Sequence, residues 1–239
     1  MAILTRSGRA ALAAAVKARS IHLALGAGNP AWDVSHVETK AFVLVGGADV
    51  LTLANAPVSG VTVANPNAVD GDPPYSVGTD YTVNASTGAV TRVDAGSGGT
   101  IPPGATVRVT YTRARDAEDP TATALLSEVG RRPVDEVYFV TPDPAGGIVV
   151  PTGRYAVTPN TTNHLFIRVR FDFTDAADAT VREQALFVGT VTDPALPPGQ
   201  KYFTPGEVTD PGILLLLQHS VPIVRQNSTR ETFEFVVTF

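Results

Sequence analysis

Apolar positions recur mainly at every second residue. Leu165, Ile167, Val169, Phe171 and Phe173 share one side of an extended segment, and Phe166, Arg168, Arg170 and Asp172 share the other. Near the end of the chain Phe233, Phe235, Val237 and Phe239 oppose Thr232, Glu234, Val236 and Thr238 in the same way. Side chains of a strand alternate between its two faces, so both patterns predict antiparallel strands with one buried face. Shorter apolar stretches bounded by Gly, Pro, Asn and Asp predict further strands at 21–26, 41–45, 61–64, 80–83, 89–93, 106–112, 134–141, 184–189 and 213–218. Within this series Ser86, Thr87 and Gly88 supply a hairpin turn. Val107, Val109 and Tyr111 alternate with Thr106, Arg108, Thr110 and Thr112 as a half-buried strand requires.

The period changes at the start of the chain. Leu4, Ala11, Leu12, Ala15 and Val16 fall on one stripe of a 3.6-residue repeat with Arg6, Arg9 and Lys17 opposite, which predicts an amphipathic helix over 3–18. Its stripe either packs on the protein's own sheet, leaving the basic side in water, or docks on another subunit. A second, short helix is expected over 121–129. Residues 37–115 read as a self-contained β unit closed by the polar, acidic stretch 114–120, and are taken as an insertion into a host made of 1–36 and 116–239. The expected architecture is mainly β: an antiparallel β-sandwich host with a short N-terminal helix, carrying a small inserted β-sandwich.

Composition agrees with that class. The 239 residues include 21 Gly and 19 Pro, only 17% are charged, and no apolar run approaches the roughly 18 residues of a membrane span, so a soluble globular protein without membrane contact is expected. Cysteine is absent, which removes disulfides, thiolate metal sites and thiol nucleophiles. The net charge of −5 is uneven, because Arg6, Arg9, Lys17 and Arg19 all precede the first acidic residue, Asp33. Overall acidity argues against nucleic acid as a partner. The alanine-rich run 10–16 is short and interrupted by Lys17, so no cleaved signal peptide is expected.

Candidate chemistry is sparse. His22, His36, His164 and His219 include no pair at metal-binding spacing, and His164 and His219 lie at strand edges where a hydrogen-bonded structural role is expected. No Gly-x-Ser-x-Gly elbow occurs, and the Gly26–Asn29 region lacks the ending of a phosphate loop. Asn65 to Asp72 gathers oxygen ligands, yet Ser76 stands where a calcium loop of the EF-hand type needs Glu, so an Asx-rich turn is expected. Arg131, Arg132, Arg168 and Arg170 could meet phosphate or a polyanionic sugar, pair with Asp135, Glu136 or Asp172, or fill a subunit contact. The chain is therefore expected to be no enzyme and to hold no cofactor or metal.

Three phrases resemble tail and baseplate proteins of contractile-tailed bacteriophages: IHLALGAGNPAWD at 21–33, NHLFIRVRF at 163–171 with DAADATVREQALFVG at 175–189, and RETFEF at 230–235. Within the insertion, TDYTVN at 79–84 and GAVTRV at 88–93 are similar to immunoglobulin-like modules of virion proteins. The resemblance implies a non-enzymatic baseplate or tail-end subunit linking tube, sheath and baseplate. Its partners would be copies of itself, in six-fold arrangement, and other tail proteins, and it would be made in the host cytoplasm and built into the virion tail. The candidate interface is Leu4, Arg6, Arg9, Leu12, Val16 and Lys17, with Trp32, Arg168 and Arg170. Two other classes stay open at this level. One is a carbohydrate-binding or adhesive module, which would need exposed aromatics. The other is an enzyme, which would need a pocket gathering carboxylates or histidines.

Overall fold

The computed structural model describes residues 2–69 and 72–239. In chain order, α1 (Arg6–Lys17) and β1 (Ile21–Gly26) are followed by β2 (Ser35–Ala41), β3 (Val43–Val45), β4 (Ala48–Thr52), β5 (Val58–Ala64), β6 (Tyr81–Asn84), β7 (Ala89–Arg92) and β8 (Thr106–Arg113). Then come β9 (Glu128–Pro133), β10 (Glu136–Pro142), β11 (Ile148–Val150), β12 (Gly153–Val157), β13 (His164–Phe171) and β14 (Thr180–Val188). The chain ends with β15 (Val191–Thr192), β16 (Val208–Asp210), β17 (Ile213–Val224) and β18 (Glu231–Thr238). It divides into two compact units, Met1–Asn29 with Glu118–Phe239, and Pro30–Ala117.

The first unit packs two antiparallel sheets, ordered β17-β14-β1-β9 and β11-β12-β10-β13-β18. One core joins them: Ile21, Leu23 and Leu25 of β1 and Val181, Leu186 and Val188 of β14 meet Leu165, Ile167, Val169 and Phe171 of β13. The alternation along β13 thus places its apolar row as expected, but the opposite face is not simply solvated. Phe166 is buried there with Val140, Val150 and Tyr155, because the β11–β12 hairpin folds over it. Likewise β1 is buried throughout, since Ala24 on its other face packs with Leu125 and Phe187.

No helix forms at 121–129. Thr121 and the residues after it turn instead, the Asp119 carboxylate accepting the Thr121 N–H (2.8 Å). The buried Glu183 carboxylate accepts N–H groups from Leu126 (3.1 Å) and Ser127 (3.5 Å). A deeply placed carboxylate therefore satisfies backbone donors that a helical turn would have used, and the chain runs straight into β9.

The second unit contains, among its described residues, the sheets β2-β8-β5 and β3-β4-β7-β6 around one core that includes Phe42, Leu51, Val63, Tyr81, Val90, Val107, Val109 and Tyr111. The strand expected at 41–45 is broken at buried Phe42, where the chain passes from the first sheet to the second. The unit begins earlier than residue 37, because β2 pairs along β8 from Ser35 opposite Thr112, and Asp33 and Val34 continue that pairing with Arg113. Its two ends consequently run side by side. The expected turn is present between β6 and β7, with Gly88 at φ 70°, a conformation that a side chain disfavours.

Candidate assembly interface

Helix α1 starts at Thr5, whose hydroxyl accepts the Gly8 N–H at 3.1 Å, and its alanine-rich body suits a helix with little side-chain entropy to lose. Its inward side is not the one the periodicity selects. Ala13 (0% exposed) is the buried anchor and Val16 packs partly against the same core. Two of the basic residues lie toward the body of the unit: the Lys17 ammonium sits 4.5 Å from the Phe139 ring centre, and Arg9 Nη1 donates to the Phe239 carbonyl at 3.4 Å. Leu4 and Leu12, by contrast, remain 52% and 48% exposed, and Ala11 and Ala15 are exposed with them. Small Ala13 lets the helix approach closely, so the larger leucines are left outward.

Beside the N-terminal half of α1 lies an open groove of about 1070 Å³, lined by Arg6, Arg9, Thr141, Thr162, Asn163, His164 and neighbours, with no carboxylate side chain among them. Its polar side chains are two arginines, a histidine, and hydroxyl and amide groups that both donate and accept, so the charge it carries is positive.

The other predicted interface residues fare differently. Trp32 is 1% exposed and its indole N–H is bound by Asp116 at 2.9 Å, so it belongs to the interior of the second unit, not to a docking surface or a sugar platform. Arg168 lies between β10 and β18, where its register brings Glu136 and Glu234 opposite it, and it bonds both, at 2.9 and 2.8 Å. These carboxylates, Glu234 first, raise its pKa and hold it in a cross-strand bridge. Arg170 is exposed on the same strand. Arg131 and Arg132 serve the interior, bound by Glu128 and by Asp172 and Asp175. His164 Nδ1 is 2.9 Å from the Thr238 hydroxyl, and His219 Nε2 is 3.5 Å from Glu183.

The loop from Asn65 shows an Asx turn, Asn65 Oδ1 accepting the Asn67 N–H at 2.9 Å, while Asp70 and Gly71, on which the calcium question turns, lie outside the described residues. Among the described residues no group of three or more His, Asp or Glu side chains is placed to hold a metal ion, and no helix is long and apolar enough to cross a membrane. Pairing with carboxylates was one of the roles open to Arg131, though its partner is Glu128, three residues before it; Glu183 and Arg225 were not legible as structural charges, because nothing local marks a charged residue whose partners are distant in sequence.

A family model described as baseplate wedge 3 tail fiber network component matches residues 1–43 and 104–239. The match takes in the whole first unit together with β2 and β8, and leaves out most of the insertion. Among curated proteins none matches the chain.

Proposed function

Since the chain belongs to the family of baseplate wedge 3 tail fiber network components, we propose that it is a non-enzymatic link of a contractile tail, present in six-fold arrangement and held to its neighbours through the outer side of α1. Membership gives a structural role in a phage baseplate, a location in the virion tail, and contacts with other baseplate proteins. The observation that carries the finer reading is the combination of exposed Leu12, Arg6 and Arg9 on a helix already anchored through Ala13 with exposed Leu4 just before that helix. Charge at the rim of a contact steers encounter, and apolar side chains at its centre hold it. An acidic neighbour fits the positively charged groove beside the helix. On this reading the protein bridges tube, sheath and baseplate and is made in the host cytoplasm before assembly.

The test is incorporation into particles. Leu12→Asp is expected to abolish incorporation while the purified chain stays folded, and reversing Arg6 and Arg9 together to Glu is expected to slow incorporation and reduce its salt dependence. Ala13→Asp, at the buried anchor, should instead unfold the helix region. If Leu12→Asp behaves like Ala13→Asp and the double reversal changes nothing, the outer side of α1 is not the contact.

The insertion fits an immunoglobulin-type module with one strand moved. The orders β3-β4-β7-β6 and β5-β8-β2 follow the A-B-E-D and C-F-G sheets of that sandwich if β2, the first strand of the unit, is counted as the last. Moving that strand to the front places both ends on the adjacent strands β2 and β8, which is what insertion into a host requires. Residues 30–117 made alone are expected to unfold cooperatively in urea, and the chain with 42–105 replaced by a short linker should keep a folded first unit. Loss of either transition would mean that the two units share one core.

A further inference from the structure

We infer that the open edge of β17 is a docking groove for the segment preceding α1 of a second copy of this chain. Strand β17 runs for 12 residues without a Lys, Arg, Asp or Glu, and pairs only with β14 among the described strands. The apolar stretch Ile213 to Leu217 at this edge presents backbone donors and acceptors that another extended chain can use, whereas farther along the His219 N–H is taken by Glu118 and Pro222 has no donor. Ile213 is 64% exposed at its start. Leu214 to Leu217 form one wall of a groove of about 250 Å³ whose other wall includes Glu118 and Asp119. Glu118 also accepts the His219 N–H at 3.0 Å, which places that carboxylate at the strand edge.

Three properties of the groove define its occupant: an extended backbone, apolar side chains, and a cation beyond them to meet the acidic rim. Two copies of β17 side by side would bring Glu118 and Asp119 of both together, which like charge opposes. Residues 2–5 have all three properties. They precede the helix, Thr5 is extended, Ile3 and Leu4 are 80% and 52% exposed, and Arg6 and Arg9 follow at once. Four extended residues at about 3.3 Å each span the same length as Leu214 to Leu217. Such a contact is head-to-tail, so it generates a ring if the rotation closes and an open chain if it does not.

The inference rests on the assembly reading above, and is tested without particles. In sedimentation of the purified full chain, Arg6→Glu and Glu118→Arg should each weaken self-association about tenfold, and the two together should recover most of it. Leu4→Asp should weaken it at least as much, and amide exchange over 213–219 should slow in the wild-type protein as its concentration rises. A wild-type chain that stays monomeric, a charge swap without recovery, or exchange indifferent to concentration would overturn the pairing. Slowing seen only on addition of another baseplate protein would overturn it too, by naming that protein as the occupant. Failure here with intact effects of Leu12→Asp on incorporation leaves the assembly reading standing.

Discussion

Replacing Arg131 by alanine is expected to destabilise the first unit by about 3–5 kcal/mol, the cost typical of breaking a buried ion pair by removing one partner. The guanidinium is 2% exposed and is used on every side. It forks onto Glu128 with two bonds of 2.7 Å, donates to the Pro211 carbonyl at 2.9 Å, and stacks with its carbon 4.2 Å from the Phe187 ring centre. Alanine would leave the Glu128 carboxylate and the Pro211 carbonyl without that donor and open a void against Phe187. Lysine should rescue little, since a single ammonium cannot reproduce the fork. Arg131→Met with Glu128→Leu should recover much of the loss, because no buried charge then lacks its partner. Urea unfolding of the three variants measures this, and a loss below about 1 kcal/mol for Arg131→Ala would show that Arg131 is peripheral to the stability of the unit.

The second large effect is a dependence of stability on pH that passes through His22. The imidazole is buried on β1, its Nδ1 has no hydrogen-bond partner, and its ring meets Phe203 edge-on at 6.0 Å. Burial, and secondly the charge of Arg131, lowers its pKa from 6.5 to about 4. The folded protein thus resists a proton that the unfolded chain accepts. Its contribution is complete above pH 6.5, falls as the pH drops through the interval down to about 4, and amounts to about 3 kcal/mol across it. His22→Leu removes the titrating group from an apolar site, and should flatten the difference in unfolding free energy between pH 7 and pH 4.5 by a large part of that amount. Carboxylates held in ion pairs, such as Asp172 beside Arg132 and Arg230, have lowered pKa values and destabilise in acid in both proteins, so the comparison isolates the histidine. An unchanged pH profile in His22→Leu would rule His22 out as the source.

Both effects arise at places where the chain departs from simple patterning. Arg131 is tolerated on an inward face because Glu128 beside it and acceptors from far along the chain surround it, and His22 because burial keeps it neutral. Arg131 is 59 and 80 residues from Thr190 and Pro211, and Glu183 is 57 from Leu126. Arg225, fully buried, bonds the carbonyls of Asp172 and Asp175 about fifty residues before it. These contacts also explain the missing helix at 121–129, whose propensity is outweighed by Glu183 and by the burial of Leu125.

Strand identity was written locally. The two-residue period of β13, β8 and β18, the turn at Gly88 and the alanine-rich helix follow from neighbours within a few positions, where backbone geometry alone sets which side chains share a face. The resemblance of the host segments likewise pointed to the baseplate family that the chain belongs to. What the sequence could not determine is which faces are covered, and by what. The apolar stripe of α1 leaves Leu4 and Leu12 outward because Ala13 fits closer to the core, Trp32 turns inward to Asp116, and Phe166 is covered by a hairpin that its own strand does not announce. The pairing of β2 with β8, from Ser35 to Thr112, likewise joins the first and last strands of the second unit, far apart in sequence. Periodicity fixes relative orientation within an element, whereas burial is decided by surfaces brought together from distant parts of the chain, and only the tertiary structure contains that information.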